Sequence, residues 1–360
     1  LVLPDSIALF GFIGGATWLY TPAGWATFEL NGSVDVSNYT QDFFRDKGYR
    51  TTGSNPGANN GFIRKYAQRD QSYNASANAT FRRAFGRNLA TRWSVRALYE
   101  RQDEADRQGS GGTLGAVGVP TLNNSTTGQT ISSNSQSVRQ IGLFAGGNLE
   151  FFDGRYIIDG LVRRDGSSLF GAENRWATFG RFSLAWRMSQ EGWWFGGRAV
   201  NDFKLRFSRG SAGGRPNFAA QYETFGVSTT GLSLQNLGNN LLRPEITVDN
   251  EFGADMELFH RIGVQLTYAA SETRDQILQV PLPSEKGFGT QWRNAGTLQN
   301  KTWELAVNLP VIARRSVNWS WRFGYDRTRT VITQLDVPPF VFGPNTINNV
   351  VLLLTSAGVA

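Results

Sequence analysis

The sequence contains no cysteine and only one histidine, His260, in 360 residues. Without cysteine the chain cannot hold disulfides, thiolate zinc sites, iron–sulfur clusters or a catalytic thiol. A single histidine excludes a multi-histidine metal centre. Any catalytic Ser-His-Asp arrangement would have His260 as its one candidate base. No cluster pairs a nucleophile with a base, so an enzyme is not favoured, and no catalytic residue, metal site or cofactor is expected.

Charge is also scarce, since charged residues make up 18% of the chain against about 25% in soluble domains. Aromatic residues are abundant at 13%, and there are 41 glycines. The net charge of +7 would suit a nucleic-acid partner, but the arginines are spread along the chain. Because nucleic-acid binding needs a concentrated basic patch, no such partner is expected. This β-rich composition also suits a bacterial outer-membrane barrel.

Residues 6–28 carry no charge and are long enough to suggest a transmembrane helix. Several glycines and threonines together with Pro22 interrupt the stretch, so a strand and a turn are predicted instead. The chain begins at Leu1 without a basic region or a cleavable signal peptide. We therefore expect it to be an internal part of a longer protein.

Strict alternation of polar and apolar residues recurs along the chain and predicts β-strands. Residues 72–82 place Tyr73, Ala75 and Phe81 opposite polar neighbours, and residues 317–326 show the same period of two. We predict eleven or twelve strands of about nine to fourteen residues, which is longer than the five or six usual in globular proteins. Such lengths suit tilted membrane strands of about nine to eleven residues.

The predicted connections differ in length on the two sides of the sheet. Short turns are expected at residues 85–88, 152–155, 260–261 and 310–315, whereas long polar segments cover residues 41–71, 102–137, 209–245 and 272–299. Outer-membrane barrels have short periplasmic turns and long extracellular loops. The predicted fold is therefore an all-β antiparallel transmembrane barrel. Residues 109–137, rich in Gly, Ser, Thr and Asn, are expected to form a flexible surface loop.

In a wide barrel the apolar side chains face lipid and the polar ones face the lumen. A sheet with one solvated face would show the same alternation, so this alternative stays open. The residues predicted to face the lumen are Arg92, Arg96, Arg181, Arg187, Arg206, Glu251, Asp255, Glu257 and Arg322.

A more specific signal is the run RRDGSSLFG at residues 163–171, followed by NRW at residues 174–176. It resembles the R-x-D-G-S-S-x-F-G…N-R-W run of the SusC/RagA-like TonB-dependent outer-membrane transporters. Further matches follow in the family's order. These matches are Ala185-Trp186-Arg187 with Glu191, the segment from Asn201 to Arg206, Leu242 to Glu245 with Gly253 and Asp255, Val280 to Ser284, and Asn294 to Gly296 with Glu304. In the last match, Thr302 stands where the family usually has a glycine.

The resemblance is specific over residues 163–304 and implies that residues 1–360 are a partial domain, about half of a barrel with about 22 strands. It implies an outer-membrane transporter that imports oligosaccharides or peptides, capped by a SusD-like surface lipoprotein and energised by TonB–ExbB–ExbD. No plug domain or TonB box is found, so the region that contacts TonB is expected outside this sequence. Two alternatives stay open: a passive porin-like or structural barrel, and a soluble β-rich carbohydrate-binding or adhesin-like protein.

The matched motif also supplies the candidate residues for contact with substrate or the lipoprotein lid. The dipeptide Asp165-Gly166 commonly forms a turn, so the charged residues of the motif could instead stabilise the loop itself. The candidates are Arg164, Asp165, Ser167, Ser168, Arg175 and Trp176.

Overall fold

A computed structural model describes residues 6–49, 60–228, 231–338, 341–342 and 353–354. Within these residues the secondary structure is almost entirely β, with four 3₁₀ helices at Leu122–Asn124, Met188–Gln190, Phe218–Gln221 and Ser284–Lys286. None of the described helices is long and apolar enough to cross a membrane. The strands are β1 Ser6–Ala23, β2 Ala26–Arg45, β3 Phe62–Phe85, β4 Leu89–Leu114, β5 Ser125–Phe151, β6 Tyr156–Ser167, β7 Trp176–Arg187, β8 Val200–Gly214, β9 Thr224–Ser228, β10 Gly231–Leu237, β11 Glu245–Leu258, β12 Ile262–Arg274, β13 Ile277–Pro281, β14 Thr290–Asn294, β15 Gly296–Ala313, β16 Asn318–Leu335, β17 Val341–Phe342 and β18 Leu353–Leu354.

Twelve strands form the main sheet, in the order β1-β2-β3-β4-β5-β6-β7-β8-β11-β12-β15-β16. The pairs from β6 to β16 are antiparallel in an almost continuous register, with bulges near Leu258, Leu298 and Pro310. Strands that neighbour each other in this order follow each other in the chain, except where β9, β10, β13 and β14 are inserted. This confirms the prediction of about twelve antiparallel strands.

The two ends of the strands have different connections, as predicted. One end has short turns, such as residues 86–88 between β3 and β4 and residues 259–261 between β11 and β12. Gly86 and Gly154 adopt positive φ angles of 63° and 79° in these turns, a conformation that glycine reaches without steric cost. The opposite end carries the longer segments, including residues 215–244 between β8 and β11.

Most main-sheet strands are longer than predicted, although β6, β7, β11 and β12 fall within the expected nine to fourteen residues, and one expected loop is wrong. The main-sheet strands have 12 to 27 residues, and β4 and β5 absorb most of residues 109–137. Polar side chains on both faces hide the period of two, but the backbone still pairs across the strands. Side-chain bonds add to this pairing, since Ser125 Oγ donates to Gly112 O at 2.8 Å. Of the long segment at 41–71, residues 50–59 lie outside the described residues.

The chain divides into two compact units, each with its own buried cluster. The first unit holds residues 1–19, 29–77 and 98–140, and its small core contains Phe44, Ile63 and Leu114. The second holds residues 20–28, 78–97 and 141–360, and its buried cluster contains Phe170 and Leu242.

Both cores are small because many large apolar side chains are exposed. In β16 of the second unit, Trp319, Trp321, Phe323 and Tyr325 are each about half exposed and lie on one face of the strand. A sheet that presents such a face to water would aggregate, whereas lipid would cover it.

Candidate functional site

The register brings most of the predicted lumen residues onto one face of the sheet. Arg206 lies opposite Gly253, Lys204 opposite Asp255, and Arg322 opposite Asn308. Residues that face each other across an antiparallel pair point to the same side. We call this side of β6 to β16 the polar face and the opposite side the apolar face. The polar face carries seven of the nine predicted residues, namely Arg181, Arg187, Arg206, Glu251, Asp255, Glu257 and Arg322.

The other two predicted residues, Arg92 and Arg96, lie on β4 and alternate there with exposed Trp93 and Val95. Arg92 and Arg181 both line an open cavity of about 750 Å³. The same cavity is lined by further charged residues, which are Arg82, Arg83, Glu150 and Asp159. Arg96 forms no hydrogen bond or ion pair with its side chain among the described residues.

A four-membered ion cluster lies at the centre of the polar face. Arg206 Nη1 is 3.1 Å from Glu251 Oε1, and Arg206 Nε is 3.1 Å from Asp255 Oδ2. Lys204 Nζ approaches the same Asp255 oxygen at 2.8 Å. The guanidinium packs over Gly253, where an added Cβ would lie 2.6 Å from Arg206 Nη2. Glycine at this position therefore leaves room for arginine to reach both carboxylates.

Sequence reasoning missed several charged members of the polar face, among them Lys204 and Asp159. Lys204 alternates with Phe203 and Leu205, so the same period that selected Arg206 also indicates it. Asp159 pairs with Arg181 at 2.6 Å, but its strand reads Ile157, Ile158, Asp159 and shows no alternation. Only the pairing of β6 with β7 assigns Asp159 to this face.

The six candidate contact residues in the motif at 163–176 do not form one cluster. Arg164 and Trp176 lie on the apolar face, where the guanidinium carbon is 5.7 Å from the centre of the indole ring. Asp165 lies on the polar face and pairs with Arg163 at 2.5 Å. Ser167 is buried, and its Oγ accepts a hydrogen bond from Leu169 N at 3.3 Å.

The remaining two motif residues contribute backbone contacts. Ser167 N donates to Arg175 O at 3.1 Å, and Ser168 O accepts from Gln221 Nε2 at 2.9 Å. These bonds close the loop and attach it to the long segment after β8. A role of the motif in binding substrate or a lid stays a prediction.

The long segments of the second unit fold into a small structure of their own, which we call the loop platform. It consists of the sheet β13-β14-β10-β9 and the 3₁₀ helix Phe218–Gln221. Phe170 of the motif packs with Ala220 and Leu242, and Ile277 and Trp292 cover this cluster.

Asn294 fastens the loop platform to the residues just before β11 and just after β12. Its Nδ2 donates to Arg243 O and to Asp275 O, both at 2.8 Å, and its Oδ1 accepts from Arg243 N at 2.9 Å. Asn294 thus holds two separate backbone segments together. The resemblance motifs around Leu242 and Asn294 serve this attachment.

At the short-turn end, Glu191 collects three hydrogen-bond donors. It accepts from Tyr156 Oη, from Trp186 Nε1 at 3.0 Å and from Arg155 Nη1 at 3.3 Å. The hydrogen bonds from Tyr156 and Trp186, followed by the charge of Arg155, hold the pKa of Glu191 below its usual value. This carboxylate joins the turn before β6 to the turn after β7.

Comparison with known proteins gives a match to the family model described as TonB dependent receptor-like, beta-barrel, over residues 10–350. TonB-dependent receptor P26 of Formosa agariphila is 29% identical over 217 residues, which cover 58% of this chain and 22% of that protein. TonB-dependent receptor SusC of Bacteroides thetaiotaomicron is 28% identical over 197 residues, covering 50% of this chain and 20% of that protein.

Among solved structures, the RagAB peptide importer in its closed-closed state superposes with a TM-score of 0.83 at 22% identity. The superposition covers 99% of this chain and 39% of that chain. At this level of identity the likeness concerns the fold. The matched residues cover about a fifth of the length of the curated relatives and about two fifths of the structural neighbour.

Proposed function

Because this chain belongs to the TonB dependent receptor-like, β-barrel family, we propose that it forms part of the wall of an active importer. The chain is a partial β-barrel domain of the bacterial outer membrane. The single observation that carries the proposal is the family match, which extends over residues 10–350 and hence over all twelve strands of the main sheet. We infer that residues 1–360 belong to one barrel domain.

The cargo that we propose is an oligosaccharide or a peptide. RagAB, whose fold this chain shares, is a peptide importer, and SusC is a TonB-dependent receptor. The mixed charges of the polar face support a wide, hydrated lumen that could pass polar cargo. In this proposal Arg92, Arg96 and the seven polar-face residues line that lumen.

We also propose the partners. A SusD-like surface lipoprotein would cover the extracellular end, where the loop platform lies, and TonB–ExbB–ExbD would supply the energy. The lipid of the outer membrane would contact the apolar face. The relatives that this chain matches are receptors, which is consistent with transport rather than catalysis.

The test is uptake by the native host with and without the gene that encodes this chain. Labelled oligosaccharide and peptide libraries are supplied at low concentration, and accumulation is measured with and without a protonophore. We expect uptake of one of the two classes to need both the gene and the proton gradient. Gene-dependent uptake that persists with the protonophore would identify a passive barrel, and recovery of the protein in the soluble fraction would identify a soluble binding protein.

A further inference from the structure

The apolar face carries a row of cations that neither the ion cluster nor the loop platform uses. Arg209 on β8 lies in register with Asn250, Asn250 with Ala270, Ala270 with Lys301, and Lys301 with Arg329 on β16. We call Arg209, Lys301 and Arg329 the cation row. All three side chains are exposed, and they point away from the polar face.

No acidic side chain neutralises the cation row. None of the three residues forms an ion pair among the described residues, and Arg209 Nη1 donates only to the neutral Asn250 Oδ1, at 3.0 Å. The acidic residue nearest in register, Glu272, is already paired with Arg274. By contrast, Arg206 on the polar face of the same strand contacts two carboxylates. The row thus presents uncompensated positive charge.

A row that is aromatic from β8 to β15 and ends in Arg327 on β16 lies directly beneath the cation row, toward the short turns. Phe207 faces Phe252 with ring centres 4.9 Å apart, and Tyr268 faces Trp303 with ring centres 4.6 Å apart. Arg209 is the tenth residue of β8 and Arg329 the twelfth of β16, counted from the short-turn end. A tilted strand crosses the hydrocarbon layer in about nine to eleven residues. The cations therefore lie where the strands leave the hydrocarbon on the long-loop side.

An apolar groove of about 700 Å³ opens below Arg209. Leu184 and Phe207 form its upper row, and the next row toward the loops pairs Phe182 with Arg209. A long apolar chain in this groove would thus end beside the guanidinium. The groove is lined on the apolar face by Ile158, Leu184, Trp186, Leu205, Phe207 and Phe252.

We propose that this surface binds the phosphorylated glycolipid of the outer leaflet. The cation row contacts the phosphate groups of the lipid, and the groove beneath Arg209 receives one of its acyl chains. Phosphate suits the row because it is a multivalent anion that accepts hydrogen bonds from arginine and lysine. The proposal needs only the location of the barrel in the outer membrane, so it does not depend on the proposed transport.

The experiment uses the protein purified from its native outer membrane and exchanged into nanodiscs of neutral lipid. Bisphosphorylated lipid A and its dephosphorylated form are titrated separately, and bound lipid is counted by native mass spectrometry. The test variant carries Arg209→Gln, Lys301→Gln and Arg329→Gln. The control variant carries Arg314→Gln, Arg315→Gln and Arg322→Gln, which remove the same charge from the short turn and the polar face.

We expect wild type and control to bind the bisphosphorylated lipid equally, and the test variant to lose about fivefold in affinity for each cation removed. Equal affinity of test and control variants would overturn the proposal. The two lipids give an independent result on the wild type alone, so a variant that fails to fold does not end the test. If the dephosphorylated lipid binds as tightly as the phosphorylated one, the cation row does not recognise phosphate.

Discussion

Glu191 shows how one carboxylate can couple two turns that are separated by a hairpin. Its side chain is 10% exposed, and its three donors come from the start of β6, the end of β7 and the turn before β6. These donors favour the ionised form, so the folded protein holds the pKa below the usual 4.5. A group with a lowered pKa in the folded state stabilises the fold above its unfolded pKa, and this contribution disappears as pH falls through the folded value.

The corresponding prediction concerns Glu191→Gln in the purified outer-membrane protein. At pH 7 the variant is expected to unfold at a lower denaturant concentration than wild type, because glutamine cannot supply the charge that Arg155 faces. The difference should shrink as the pH falls below 4.5, because the unfolded wild type then takes up a proton, and it should disappear once the folded carboxylate is protonated as well. Tryptophan fluorescence during denaturant unfolding at pH 7, 5 and 3 measures both curves, and Trp186 lies beside the substituted residue.

Glu173→Gln serves as the control, since Glu173 is exposed and has no hydrogen bond or ion pair among the described residues. It should follow the wild-type curve at every pH. A Glu191→Gln curve that stays parallel to wild type from pH 7 to pH 3 would show that ionisation of Glu191 does not stabilise the turns.

The residues of the polar face also show what alternation reveals and what it hides. Arg206, Glu251 and Asp255 each alternate with apolar neighbours, so the sequence assigns all three to one face, and the structure confirms that they share it. The ion pairs among them depend on register, which the sequence does not specify. The sequence predicts one candidate site at residues 163–176, but consecutive residues of a strand point to opposite sides. Arg164 and Asp165 are therefore separated.

At the scale of elements, the loop platform is a cooperative unit with its own core. Leu242 is fully buried between the motif loop and the strands β13 and β14, whereas its neighbour Leu241 is 63% exposed. Truncating a buried leucine to alanine costs about 2 to 5 kcal/mol, because contacts are lost and a cavity remains. The platform is joined to the main sheet by a limited set of hydrogen bonds, such as those from Gln276 N to Gly296 O and from Ile277 N to Glu245 Oε1, so this loss should stay local.

We therefore predict that Leu242→Ala raises amide hydrogen exchange in β9, β10, β13 and β14 while β7 and β8 keep wild-type exchange. Leu241→Ala should leave both regions unchanged, because its side chain is already in solvent. Exchange followed by mass spectrometry on the purified protein separates the regions. If Leu242→Ala accelerates exchange in β7 and β8 to the same extent, the platform and the sheet unfold together, and the platform is not an independent unit.

The upper parts of β4 and β5 mark the limit of sequence reasoning about elements. A strand that lies outside the membrane can carry polar residues on both faces, as in residues 125–137, and then shows no period of two. Backbone pairing and short side-chain bonds such as Thr126 Oγ1 to Thr113 O at 2.6 Å support it instead. The membrane-spanning parts were predictable because lipid requires an apolar side chain at every second position. Strand length beyond the membrane follows no such requirement.

At the scale of the molecule, the alternation and the difference in connection length predicted an antiparallel membrane sheet, and the family match confirms the barrel. The number of strands in the complete barrel could not come from these observations, because periodicity describes one strand at a time. Barrel size came from the family resemblance. The lining of the lumen stays a prediction, since a shared face establishes only that the residues lie on one side.

The sheet itself leads to the last prediction, which concerns the 360-residue chain as an isolated polypeptide. The strand order begins at β1 and ends at β16, and no pairing between these two strands occurs among the described residues. Each unpaired backbone group in lipid costs several kcal/mol, so an open sheet does not remain stable across a bilayer. We therefore expect that this polypeptide, refolded in detergent and added to planar bilayers, gives no stable single-chain conductance.

An eight-stranded barrel refolded in the same way shows that the procedure permits insertion. Steady conductance from single copies of the 360-residue chain would mean that β1 and β16 close on each other in lipid, and the twelve strands would then be a complete small barrel rather than part of a larger wall.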